Sequence, residues 1–189
     1  MTHSMAVKLL LLGFCVTWVG CVHRIQVTPL SASASSITIP HTLQAVISPI
    51  SMEGPDHRPG IVLLEWSHLD LKQAIFQYLQ QHDTFASVSY DPGDLALHVA
   101  TKLKLVSRSG LYHYRIELQA EMREGVRLIK SYRAEYTAVG SSVRWVTASD
   151  RDPIATALQA ALEDLMRQVE ADRPIYISRT AYPSQKAAQ

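Results

Sequence analysis

The sequence predicts an α+β domain in which an antiparallel meander sheet carries two helices packed on one face, and three stretches predict it. Leu95, Leu97, Val99, Thr101, Leu103 and Leu105 alternate with Ala96, His98, Ala100, Lys102 and Lys104, the two-residue period of a strand with one buried face. After a turn at Ser107–Gly110, Tyr112, Tyr114, Ile116, Leu118, Ala120 and Met122 alternate as regularly with His113, Arg115, Glu117, Gln119, Glu121 and Arg123. Ile154, Ala157, Leu158, Ala161, Leu162, Leu165, Met166 and Val169 recur instead at three-and-four spacing, the buried stripe of a helix.

The other elements follow in order. Within Leu43 to Ile50, Ala45, Val46 and Ile47 are expected as a first strand ended by Pro49; a polar loop from Gly54 to Gly60 follows, then a short apolar run from Ile61 to Trp66 that fits a buried strand or a helical start. Ser67 and Asp70 have the spacing of a capping box, and Leu71, Ile75, Tyr78 and Leu79 form the stripe of the helix that ends near His82. Thr84 to Tyr90 is a strand giving Phe85 and Val88 to the core, and Asp91-Pro92-Gly93-Asp94 is a turn. A third long strand runs from Val126 to Thr137, with Leu128, Tyr132, Ala134 and Tyr136 on the apolar side and a break of pattern at Ile129 and Lys130. Asp152 as N-cap with Pro153 at the first helical position is the expected start of the second helix. Ile175 to Ile177 is expected as a short edge strand, and residues 179–189 as a flexible tail.

Upstream of the domain, expected over 41–178, stands Lys8, an apolar run from Leu9 to Val19, then Gly20 and Cys21. A run of this length behind one basic residue is a secretory signal over 1–20 and too short to span a bilayer. Gly20-Cys21 resembles the lipobox of bacterial lipoproteins, with Trp18 where those proteins usually have leucine; the resemblance implies acylation at Cys21 and membrane anchoring through that lipid. Otherwise the signal is an ordinary cleaved one, or an uncleaved anchor, and Cys21 is incidental. Residues 21–40 are expected as a tether, since Ser31 to Ser36 is small and low in complexity.

The order of elements resembles the small α+β domains of Gram-negative envelope lipoproteins: the TolB amino-terminal domain, the penicillin-binding-protein activators, the YajG-type lipoproteins and the auxiliary lipoproteins of lipid-transport systems. Leu79 to Val88, Asp94 to Leu97 and the strand-turn-strand from Tyr112 to Tyr136 carry it. Members commonly have glycine at the end of the first helix; here Asp83 must supply the turn. The resemblance implies an accessory role beside an envelope protein partner. Val22, in place of aspartate after the cysteine, implies the outer membrane.

Charge narrows the classes of function. Eighteen Lys and Arg stand against seventeen Asp and Glu, and removal of the signal takes away Lys8 alone, so no basic excess exists to neutralise phosphates, and nucleic acid is not an expected partner. With Cys15 inside the signal and Cys21 acylated, no thiol remains for a disulfide, a zinc site or nucleophilic catalysis. The histidines lack metal-binding spacing; His98 and His113, on polar sides of neighbouring strands, are the one candidate pair, against a reading of both as solvated. Asp150 and Asp152 beside Ser149 are a candidate carboxylate pair, with helix entry as the simpler account. No cofactor and no catalytic constellation is expected. Arg144 and Trp145, in the loop before the second helix, combine the residue types enriched at interaction hot spots, and Trp66 is placed at the same end of the sheet, with core packing as the competing account for both indoles. The leading expectation is a non-enzymatic lipid-anchored accessory protein; the alternative is a carrier holding lipid or another apolar ligand between sheet and helices.

Overall fold

The structure, a computed structural model, describes residues 21–25, 32–53, 62–140 and 147–180. In chain order the elements are β1 (Cys21–Ile25), β2 (Ile39–Ile47), β3 (Ser51–Glu53), β4 (Val62–Trp66), α1 (His68–His82), β5 (Phe85–Ser89), β6 (Leu95–Arg108), β7 (Leu111–Glu124), β8 (Arg127–Val139), α2 (Thr147–Ala171) and α3 (Arg173–Thr180). The class is α+β, but the sheet is mixed. Its order is β5-β2-β6-β7-β8, with β3 continuing the β2 side of β6, and only β6-β7-β8 is an antiparallel meander. β2 lies parallel to both β5 and β6. The reason is the crossover through α1, which returns the chain to β2 in the same direction, as parallel neighbours require.

Three helices, not two, share one core with the sheet. Leu71, Ala74, Ile75, Tyr78 and Leu79 of α1 are buried, as are the eight apolar residues expected of α2, all at 0% exposure. They meet Ile39, Leu43, Ala45 and Ile47 of β2 and the alternate residues of β6 and β7. Ile175 to Ile177 is not an edge strand. It lies in α3, where Pro174 suits a first turn without a backbone N–H and Tyr176 is fully buried.

The first helix starts after Ser67 as expected but without its capping bond, and the second starts earlier than expected. Ser67 has the extended backbone of an N-cap, but its hydroxyl makes no capping bond; the ladder begins at Leu71 N to Ser67 O, 3.1 Å. α2 begins at Thr147, which leaves Asp152 exposed and Pro153 inside the helix. The missing N–H of Pro153 deprives one carbonyl of its bond, while the ring is buried against Gly140. The first helix ends as its sequence demands, on Asp83 in the left-handed conformation (φ 57°).

The two hairpins fix the registers. Ser109 and Gly110, both at positive φ, form the two-residue turn between β6 and β7. Between β7 and β8 the ladder passes from Met122↔Lys130 to Arg123↔Leu128, so Ile129 is the extra residue of a bulge where the alternation breaks. Past this edge the apolar side is incompletely covered: Leu128 and Tyr136, expected in the core, are 48% and 46% exposed.

Candidate functional site

The face of the sheet opposite the helices is polar, and the antiparallel registers arrange its charges. Glu117 of β7 stands opposite Glu135 of β8, a like pair that is unfavourable by itself. Two arginines offset it. Arg115 reaches Glu117 at 3.2 Å and Glu135 at 2.5 Å, and Arg133 reaches Glu117 at 3.4 Å. Further along, Arg123 pairs with Glu121 at 2.6 Å. Between these groups lies an open depression of about 540 Å³ lined by Ser48, His98, Gln119, Glu121, Ser131 and Arg133. It offers hydrogen-bond donors and acceptors and both signs of charge.

The turn is Ser109–Gly110, shorter than the Ser107–Gly110 turn expected, and that tighter turn is the sequence signal that fixes the β6-β7 part of this grouping. Once Arg108 is opposite Leu111, His98 must be opposite Glu121 and Ala100 opposite Gln119. The same register separates the candidate metal pair. His113 faces Val106, eight residues along β6 from His98, or roughly 26 Å of strand. Among the described residues no group of three metal-ligating side chains occurs.

Polar links tie the helices and loops to the sheet. Asp94 accepts from the Thr42 backbone N–H and hydroxyl, both at 2.9 Å, and donates its own N–H to the Thr42 hydroxyl at 2.9 Å. These bonds, led by that from the Thr42 backbone and helped by nearby His41, hold the Asp94 carboxyl below its usual range. Gly93 is required beside them, because a Cβ there would lie 2.7 Å from the Thr42 carbonyl oxygen. At the end of α1, the buried Thr84 hydroxyl donates to Glu170 of α2 at 2.9 Å and is 2.7 Å from His82 Nδ1. In the core the hydroxyls of Tyr132 and Tyr176 are hydrogen-bonded; nearer the surface, Lys130 pairs with Asp172 at 2.6 Å.

The predicted site residues are placed separately. Cys21 begins β1, whose backbone pairs in parallel with β4 from Cys21↔Val62 to Ile25↔Trp66. The tether expected over 21–40 is therefore partly built into the domain: Ser35 N donates to His82 O, and Ile39 is fully buried in β2. Trp66, at 4% exposure, belongs to the core and offers no partner surface. Its indole N–H has no partner among the described residues. Arg144 and Trp145 lie outside the described residues. No helix among the described residues is long and apolar enough to cross a membrane.

These features define a class, an α+β domain with a mixed sheet, helices on one face and a charged opposite face. No protein-family model matches the chain, and no curated protein matches its sequence. Solved structures do. Protein XCC0632 from Xanthomonas campestris, of the DUF330 family, is similar over 85% of this chain and 99% of its own, at 14% identity and a TM-score of 0.52, which shows a shared fold. Protein CT253 from Chlamydia trachomatis matches over 69% of this chain and 96% of its own, at 12% identity and a TM-score of 0.49. A lipoprotein candidate from Caulobacter crescentus CB15 matches over 75% and 93%, at 10% identity and a TM-score of 0.41.

Proposed function

We propose that this protein is a non-enzymatic lipoprotein of the bacterial envelope, acylated at Cys21 and serving an envelope complex as an accessory subunit. The observation that carries the reading is the position of Cys21, directly behind an apolar export signal and Gly20 and at the head of β1. Acylation there attaches the lipid with almost no intervening linker, since β1 is already paired with β4 at that residue. More than one acyl chain is needed for stable anchoring, because a single chain binds a bilayer marginally. Val22 favours the outer membrane, and the accessory role follows the TolB and YajG-type resemblance.

The surface offered to a protein partner is the charged sheet face around Arg133 and Glu121, and Arg144 and Trp145 remain candidates from the sequence alone. The carrier reading gains nothing from the depression, which opens on the polar face and not between sheet and helices.

Replacing Cys21 by serine tests the anchor: metabolic labelling with palmitate and membrane fractionation should show loss of acylation and accumulation of precursor or soluble protein. An unchanged membrane fraction defeats the reading. Native mass spectrometry of the detergent-extracted protein tests the role. A co-purifying protein subunit supports the accessory assignment, and a stoichiometric non-covalent lipid supports the carrier instead.

A further inference from the structure

β8 is one end of the sheet, and its thirteen residues make it a long edge. Long, open edges invite pairing with another strand. Two hydrogen bonds establish which backbone groups face outward. Gly140 N donates to Tyr112 O at 2.8 Å, which makes 112/140 a hydrogen-bonded pair of the β7-β8 ladder. Antiparallel pairs alternate, so Ala138, Tyr136, Ala134 and Tyr132 also bond to β7, while Val139, Thr137, Glu135, Arg133 and Ser131 direct their N–H and C=O groups away from it. Gln168 of α2 donates to the Arg133 carbonyl at 2.9 Å, which agrees with that direction. All five outward residues are exposed, and among the described residues Gln168 alone bonds to their outward backbone groups.

We infer that β8 pairs antiparallel with β8 of a second copy of this chain, across a two-fold axis at Ala134, and joins the two sheets into one. Charge selects both the occupant and the register. Centring on Ala134 sets Arg133 opposite Glu135 of the partner subunit and Glu135 opposite Arg133 of the partner subunit, two attractive pairs from a single symmetry. Centring on Arg133 or on Glu135 would oppose like charges, which is destabilising. The chosen register also sets Ser131 opposite Thr137 of the partner subunit and Tyr132 opposite Tyr136 of the partner subunit. Pairing between the copies then covers the half-exposed Tyr136 ring, and the bulge at Ile129 ends it. Every residue that must bond across the axis is one whose backbone already points outward, and the Arg133 carbonyl, which already accepts from Gln168, must use its second lone pair or release that bond. The Arg133 and Glu135 side chains, 60% and 47% exposed, can reach across the axis while sharing or exchanging their bonds to Glu117 and Arg115.

Sedimentation equilibrium of the full-length protein in a density-matched detergent tests the inference, with circular dichroism confirming that each variant is folded. The wild type is expected to dimerise. Glu135→Arg places four arginines along the axis and should raise the dissociation constant about tenfold or more, while Arg133→Glu combined with Glu135→Arg should restore dimerisation. Thr137→Pro removes an outward N–H without touching the β7 ladder, and should also yield monomer. A wild type that stays monomeric at about 100 μM, a concentration at which an association worth about 6 kcal/mol would show, overturns the inference. So does a dimer that both Glu135→Arg and Thr137→Pro leave unchanged, since that dimer uses another surface.

Discussion

The hydroxyl groups of Tyr132 and Tyr176 are hydrogen-bonded to each other in the core, and this bond joins the edge strand β8 to the C-terminal helix α3. Both residues are buried, and Tyr132 also interacts with Asp172. Removing one hydroxyl leaves the other with less compensation. Tyr132→Phe and Tyr176→Phe should each cost about 1 to 3 kcal/mol, and the double variant less than the two together, in urea unfolding. Strict additivity would mean the bond contributes nothing.

Tyr114 and Pro153 close on Gly140, just past the end of β8. A Cβ at that position would lie 2.6 Å from Tyr114 Cε2 and 3.2 Å from Pro153 Cγ. Tyr114 is 1% exposed and has no open space to swing into. Gly140→Ala should therefore lower stability by about 1 to 3 kcal/mol, as overpacking does. A thermal melt shows it; an unchanged midpoint would mean that Pro153 and the ring yield without loss.

The cover of the sheet is α2, and its two faces should respond differently. Leu162 is fully buried, so Leu162→Ala should cost about 2 to 5 kcal/mol. Glu163, exposed and bonded only to Gln159 at 3.0 Å among the described residues, should tolerate alanine within about 0.5 kcal/mol. Equal losses at the two positions would contradict the assigned face.

Two groups set opposite pH limits. The lowered carboxyl of Asp94 contributes stability that is present above the ordinary carboxylate value of 3.8 and is lost as pH falls through its lower folded value. The Tm difference between wild type and Asp94→Asn should accordingly narrow below that range. The Tyr132 hydroxyl is raised far above 10.0, first by burial and then by its bond to Tyr176. Its contribution is complete below 10.0 and lost as pH rises beyond it, so absorbance at alkaline pH should show this tyrosine ionising only with unfolding.

Much of the sheet was legible because its period is local. The alternation of β6 and β7 assigned every buried residue from Leu95 to Leu105 and from Tyr114 to Met122, and the irregularity at Ile129 and Lys130 marked the bulge. What could not be read is non-local. Nothing between Ile39 and Ile47 states that this strand enters between β5 and β6, a choice made by the crossover through α1. Ile175 to Ile177 has the β-branched composition of a strand, yet burial of Tyr176 against Tyr132 outweighs that preference and makes it helix. The charged face illustrates both cases: its residue types were visible in the sequence, whereas the grouping of His98, Glu121 and Ser131 exists only through the registers of two hairpins.

The central position of β2 has a consequence for how the chain is made. A polypeptide that emerges N-terminus first delivers residues 39–47 before either of their neighbours; the strand stays unmatched on both sides until residue 89 has followed, and on the β6 side until residue 99. During that interval Ile39, Leu43 and Ile47 are displayed to solvent on a segment whose native pairings are all distant in sequence. A pause in delivery of the chain between Ile47 and Phe85 should therefore increase aggregation or demand for a holding chaperone more than one placed after Val139.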